Sequence, residues 1–279
     1  MQTTLVTAHW LKAQSAEEIM IFDATYYLPT MERDGHSEFK KAHIPGAVFF
    51  DIDGIKDEDS DLPHMIPSAK NFETKMQNLG LKAGQQVVTY DNSPFLSSAR
   101  AWWMLRFFGH HAVAVLDGGL RAWQAAGGML TDKIIERTTG TFQAGASANA
   151  GVITLTELEQ ALRSGQVDQI VDARAAARFA GNAPEPRPGL RAGHIPGSLN
   201  LPIGDILDKT TGKLKSADEL SKLFAEAGLV MDQPAVTTCG SGVTAAGLTL
   251  ALAVLGKTDI RLYDGSWSEW GASNAPIES

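Results

Sequence analysis

The segment IFDAT, Ile21 to Thr25, returns as IVDAR, Ile170 to Arg174, and HIPGAVFFDI, His43 to Ile52, returns as HIPGSLNLPI, His194 to Ile203. In the same order Gly80 answers Gly228, VVTYDNS answers AVTTCGS, and LDGGLRAW (Leu116 to Trp123) answers YDGSWSEW (Tyr263 to Trp270). An internal repeat decides architecture before any single residue does, because each copy must bury its apolar face in the same way. Each copy spans roughly 120 to 130 residues, enough for one small domain. We therefore expect two tandem domains, 1–130 and 151–279. Between them Thr131 to Ala150, rich in Thr, Gly, Ala and Ser and without periodicity, reads as a linker over 131–150.

Within each copy short β-rich runs alternate with helical stretches. EIMIFDA, QQVVTYD and AVAVLDGG are apolar and bounded by turn residues, the pattern of strands covered on both faces. SAKNFETKMQNLG ends at Gly80, and SADELSKLFAEAG opens with Ser216 and Glu219 at capping-box spacing and ends at Gly228. The fold class is α/β, each domain a mainly parallel sheet with helices on both faces.

No apolar run approaches the ~20 residues that span a bilayer, so no membrane partner is expected. The stretch MQTTLVTAHWLKAQ carries no secretory pattern, and the lone cysteine of the 279 residues fits a reducing, cytoplasmic setting. A net charge of −8 argues against nucleic acid, whose phosphates need a basic surface. The substrate is expected to be small.

That cysteine, Cys239, lies in TTCGSGVTAAGL. Taken alone it reads as a small buried hydrophobe. QPAVTT before it reads as a strand, however, and VTAAGLTLALAVL after it as a buried helix, so Cys239 falls in a strand-to-helix turn at the carboxyl edge of the sheet. Gly240 and Gly242 let successive N–H groups converge on one point, an anion nest at a helix N-terminus that favours a thiolate. We read Cys239 as a nucleophile, with Gly240, Ser241, Gly242, Val243 and Thr244 as its loop. The first copy has Asp91 in the matching position and is read as non-catalytic. A Cys-x5-Arg phosphatase would need an arginine where Ala245 stands, and a metal site lacks any recognised ligand spacing.

On these residues the chain resembles the two-domain rhodanese superfamily over nearly its whole length. The HIPG repeats, the DGG…W and DGS…W endings and the six-residue loop CGSGVT carry the resemblance, and the loop is similar to that of the 3-mercaptopyruvate sulfurtransferases. Thiosulfate-using members place two basic residues where Gly240 and Ser241 stand. The resemblance implies sulfur transfer from 3-mercaptopyruvate, through a persulfide on Cys239, to cyanide, a small thiol or a thioredoxin-like protein, with no metal or organic cofactor. It assigns the substrate carboxylate to Arg178 and Arg187 in ARFAGNAPEPRPG, with Arg174 and Arg191 as alternatives and solvated surface arginines as the plainer reading. It also implies a serine, histidine and aspartate grouping, by position Ser241, His43 and Asp34. The HIPG motif occurs in both copies while the cysteine occurs in one, so His43 equally fits a structural use shared with His194. A thiosulfate sulfurtransferase, and a low-turnover persulfide carrier or scaffold, remain the competing readings.

Overall fold

The computed structural model describes residues 3–15, 18–145 and 151–279. The first unit contains, in chain order, β1 (Leu5–Val6), α1 (Ala8–Lys12), β2 (Ile19–Asp23), α2 (Gly35–Lys41), β3 (Ala47–Phe49), α3 (Ala69–Asn78), β4 (Gln86–Tyr90), α4 (Ser98–Phe107), β5 (Val113–Leu116) and α5 (Gly119–Ala125). The second contains β6 (Val152–Ile153), α6 (Leu155–Ser164), β7 (Gln169–Asp172), α7 (Ala176–Phe179), β8 (Leu199–Asn200), α8 (Ala217–Glu226), β9 (Ala235–Thr238), α9 (Val243–Val254), β10 (Ile260–Tyr263) and α10 (Ser266–Trp270). The sheets run β1-β5-β4-β2-β3 and β6-β10-β9-β7-β8, and all their pairings are parallel. The same order in both units is the repeat seen in three dimensions. Parallel neighbours require crossovers, and the helices supply them.

Local chemistry sets the element ends. Ser216 Oγ accepts the Glu219 N–H while the Glu219 carboxylate accepts the Ser216 N–H at 3.0 Å, so the expected capping box starts α8. Ser68 caps α3 in the simpler way, through the Asn71 N–H, and a cap of this kind contributes about 1 kcal/mol. Gly80 and Gly228 close α3 and α8 at φ 85 and 97, angles that a Cβ resists. The central strands β4 and β9 are enclosed on both faces, and α9 buries Leu248, Leu250 and Leu252 completely. At roughly 1.5–3 kcal/mol for each fully buried leucine, α9 is held by packing, which fixes the turn that precedes it.

Two short stretches belong to the unit opposite to their place in sequence: Glu58–Met65 falls in the second unit and Asp208–Leu214 in the first. The Leu214 N–H donates to Asp117 Oδ1 at 2.9 Å, and Arg121 Nη1 to Thr210 O at 2.7 Å. Of the stretch read as a linker, residues 146–150 lie outside the described residues. Its described part runs against the first unit: Thr131 and His43 exchange backbone hydrogen bonds at 2.9 Å, and Phe142 is buried with its ring edge-on to Phe72. A segment without periodicity can still be anchored by single side chains. Among the described residues no helix is long and apolar enough to cross a membrane.

Candidate active site

Cys239 directly follows β9, the middle strand of its sheet, and α9 begins four residues later at Val243. Gly242 makes the turn with φ 80, and Cys239 is 2% exposed. The loop is tied down from outside: Cys239 O accepts the Trp267 N–H at 2.9 Å, and Gly240 O accepts the Ser268 N–H at 2.9 Å and the Ser268 hydroxyl at 2.6 Å. Two of the loop carbonyls, those of Cys239 and Gly240, are therefore engaged by α10.

The first unit shows what such a turn does with an anion. Asp91, in the position of Cys239, accepts the N–H of Ser93 and of Ser98 at 2.8 Å and the Ser93 hydroxyl at 2.7 Å. Its own carboxylate fills the cradle. Burial pushes that carboxyl up and the serine donors pull it down, with burial the larger effect.

Arg178 stands beside the cysteine loop, since a Cβ on Gly240 would lie 3.2 Å from its Nη2. Its guanidinium is held by Glu185 Oε2, through Nε at 3.2 Å and through Nη2. Glu185 Oε1 in turn takes Arg174 Nη1 at 2.8 Å. Arg174 is 2% exposed, pairs with Asp172 at 2.7 Å, donates to Gly193 O at 2.9 Å and lies 4.2 Å over the Trp267 ring. Arg191 spends its donors on the carbonyls of Trp270, Ala275 and Gly271. Both alternatives are thus committed to the interior. Arg187 is half-buried and has no hydrogen-bond or ion-pair partner among the described residues.

The histidine that meets Ser241 in the second unit is His64, which sequence reading did not single out. His64 Nδ1 lies 3.0 Å from Ser241 Oγ, with both residues buried, and His64 belongs to the Glu58–Met65 stretch. His43 belongs to the first unit, where its Nδ1 donates to Phe39 O at 2.6 Å and its ring stacks on Phe39 at 4.0 Å. His194 repeats both contacts, with Phe179 O at 2.8 Å and the Phe179 ring at 3.8 Å. Asp34 caps α2 by accepting the Ser37 N–H at 2.6 Å, and hydrogen bonding from the Ser37 side chain first, with that N–H second, holds its carboxyl below the usual range. So HIPG has the same structural use in both units. A signal for His64 existed in DLPHMIP, a lone histidine in a stretch where the two copies stop matching.

Among the described residues no group of three or more His, Cys, Asp and Glu side chains is gathered as a metal ion would need. A cavity of about 290 Å³ in the first unit is lined by Leu11, Ile19, Ile44 and Trp123 among others and holds neither cysteine nor histidine. Chemistry rather than volume points to Cys239.

A twice-repeated parallel α/β unit with a cysteine loop in one copy defines a class. The rhodanese-like domain matches this chain over residues 7–126 and again over 154–273, and the chain belongs to the rhodanese family. The 3-mercaptopyruvate sulfurtransferase of Escherichia coli (strain K12) is 44% identical over 282 residues, which cover 100% of this chain and 99% of that protein. The human 3-mercaptopyruvate sulfurtransferase is 43% identical, covering 95% of this chain and 91% of its own. The crystal structure of SseA from Escherichia coli, described as the rhodanese fold of 3-mercaptopyruvate sulfotransferases, superposes with a TM-score of 0.84 at 42% identity, over 96% of this chain and 100% of that one.

Proposed function

We propose that this chain moves sulfur from 3-mercaptopyruvate to a thiophilic acceptor by a two-step route. The Cys239 thiolate attacks the substrate sulfur, an S–S bond forms, and the C–S bond breaks. The electron pair leaves on the enolate of pyruvate, which takes up a proton, while Cys239 remains as the persulfide. Arg178 and Arg187 receive the carboxylate, and Ser241 with His64 stands where the substrate thiol and its proton must be handled. In the second step an acceptor (cyanide, a small thiol or a thioredoxin-like protein of a reducing cytoplasm) takes the outer sulfur and Cys239 returns to the thiolate. Loop N–H groups stabilise the anionic sulfur in both steps.

The observation that carries this reading is the pairing of a cation-free loop with an arginine at its rim. Gly240 and Ser241 bring no charge, while Arg178 stands at the Gly240 edge. A substrate with a neutral sulfur end and a carboxylate further off fits that division. One relative, from Arabidopsis thaliana, 40% identical over 99% of this chain, is named a thiosulfate/3-mercaptopyruvate sulfurtransferase, which supports thiosulfate as a second donor.

The test is intact-protein mass spectrometry after exposure to each donor. Mercaptopyruvate should add one sulfur and release pyruvate, and Cys239→Ser should add none while keeping its fold, because a serine hydroxyl forms no persulfide. Turnover of Cys239→Ser within about tenfold of wild type, only ~1.4 kcal/mol of barrier, would remove Cys239 as the sulfur carrier.

A further inference from the structure

Ser266 has a backbone that its side chain disfavours. It is wholly buried and sits at φ 49, in the left-handed region that residues with a Cβ seldom enter. The matching residue of the first unit, DGG against DGS, is Gly119 at φ 54. A Cβ there would stand 2.1 Å from Asp91 O. Both units use the next residue to hold the turn: the Leu120 N–H donates to Asp91 O at 3.0 Å and the Trp267 N–H to Cys239 O at 2.9 Å. Only the copy with the cysteine has a side chain at the strained position, so the hydroxyl must give that copy something the other does without.

What it gives follows from counting atoms. A hydroxyl has one proton and two lone pairs. The proton has Tyr263 O at 2.8 Å. The lone pairs face the Cys239 N–H at 3.2 Å and the Gly242 N–H at 3.1 Å, with Thr238 Oγ1 further off at 3.4 Å. Cys239 Sγ is 4.0 Å from Oγ, but the nearer carbonyl has the proton. Ser266 thus draws two of the loop N–H groups onto itself. Those of Gly240, Ser241, Val243 and Thr244 have no acceptor among the described residues and stay open to an anion on the sulfur.

We propose that Ser266 is a positioning residue for sulfur transfer: its hydroxyl pins the Cys239 and Gly242 N–H groups behind the loop, so that the other loop N–H groups keep one arrangement around the sulfur in both half-reactions. The proposal rests on Cys239 as the sulfur carrier. Because the loop serves the thiolate, the enolate-releasing step and the persulfide alike, its loss affects donor and acceptor steps together, unlike the loss of an arginine that meets only the substrate carboxylate.

Ser266→Gly tests it without straining the fold, since glycine suits the angle. The variant should match wild type in thermal unfolding. Persulfide formation from mercaptopyruvate and persulfide discharge to cyanide should both slow by roughly ten- to a hundredfold, with KM for mercaptopyruvate nearly unchanged. Ser266→Ala should repeat the kinetic loss and unfold at a lower temperature, because it keeps the strain and loses the hydroxyl. A readout independent of any donor is the rate at which iodoacetamide alkylates Cys239 as pH is raised. In Ser266→Gly the rise should come at higher pH than in wild type, because the thiolate loses pre-set donors. Unchanged half-reactions with an unchanged alkylation profile would overturn the proposal, and so would a loss confined to the donor step. Should wild type form no persulfide from mercaptopyruvate, the sulfur-transfer reading falls, while the alkylation profile still decides on Ser266.

Discussion

His64 Nδ1 lies 3.0 Å from Ser241 Oγ, two residues along from Cys239. The two side chains share one hydrogen bond, so their effects on persulfide formation should not add. Ser241→Ala and His64→Asn should each lower kcat/KM for mercaptopyruvate, and the double variant should lose little more than the worse single one. Losses that simply sum would mean that the two residues act separately and that the contact is incidental.

Why His64 escaped sequence reading is instructive, because most of the rest did not. The tandem α/β fold, the caps at Ser216 and Gly228 and the cysteine loop were legible, since each is a local pattern or a repeated one. His43 was named by the resemblance, whereas its repetition pointed to what both units need, and its contacts with Phe39 are copied by His194 on Phe179. His64 lies where the copies diverge, on a stretch that folds into the unit opposite to its place in sequence. Chain order could not reveal that. Glu185 escaped for another reason: an acidic residue in a proline-rich loop looks solvated until Arg174 and Arg178 are both found on it.

Arg187 and Arg178 should separate the two half-reactions. Arg187→Ala should weaken persulfide formation from mercaptopyruvate on the order of 2–3 kcal/mol, the worth of a charged contact to the carboxylate, and leave discharge to cyanide near wild type. Arg178→Ala should follow the same pattern with an added loss of stability, because Glu185 would keep Arg174 and lose its second partner. Equal losses in both half-reactions, measured by single-turnover kinetics, would assign the arginines to loop support instead.

Asp23 predicts a pH effect on stability. Its counterpart Asp172 has Arg174 beside it, whereas Asp23 has Thr25 and Tyr90, and burial pushes its carboxyl up to about 6 against their hydrogen bonds. A folded value above the unfolded one means that the native state binds the extra proton. Stability from this group is therefore greatest below about pH 4 and is lost as pH rises through 6. Asp23→Asn removes the titration while its amide oxygen still accepts from Thr25. The variant should gain on the order of 2–3 kcal/mol over wild type between about pH 4 and pH 7.5, read as a difference in thermal unfolding that widens with pH. A difference that stays constant with pH would place the burden on another group.

The loop itself should set donor choice, and the double change Gly240→Arg with Ser241→Lys should turn preference from mercaptopyruvate towards thiosulfate. Two cations next to Cys239 would favour an approaching dianion and the departing sulfite, and in an enclosed site such contacts exceed their strength in water. The structure adds reasons for loss as well as gain. A side chain at Gly240 would start 3.2 Å from Arg178 Nη2, so an arginine there would press cation on cation and drive Arg178 from the rim where the carboxylate is received. A lysine at 241 would break the contact with His64. Specificity should then move from both sides, as expected when a site selects by differential stabilisation of two transition states. The measurement is the ratio of kcat/KM for the two donors with cyanide as common acceptor, repeated at raised salt, where the gain for thiosulfate should shrink as the new charges are screened. A folded double variant with an unchanged ratio would show that Arg178, Arg187 and the Glu185 that holds Arg178 decide the donor, and that the absence of charge in CGSGVT is not what selects it.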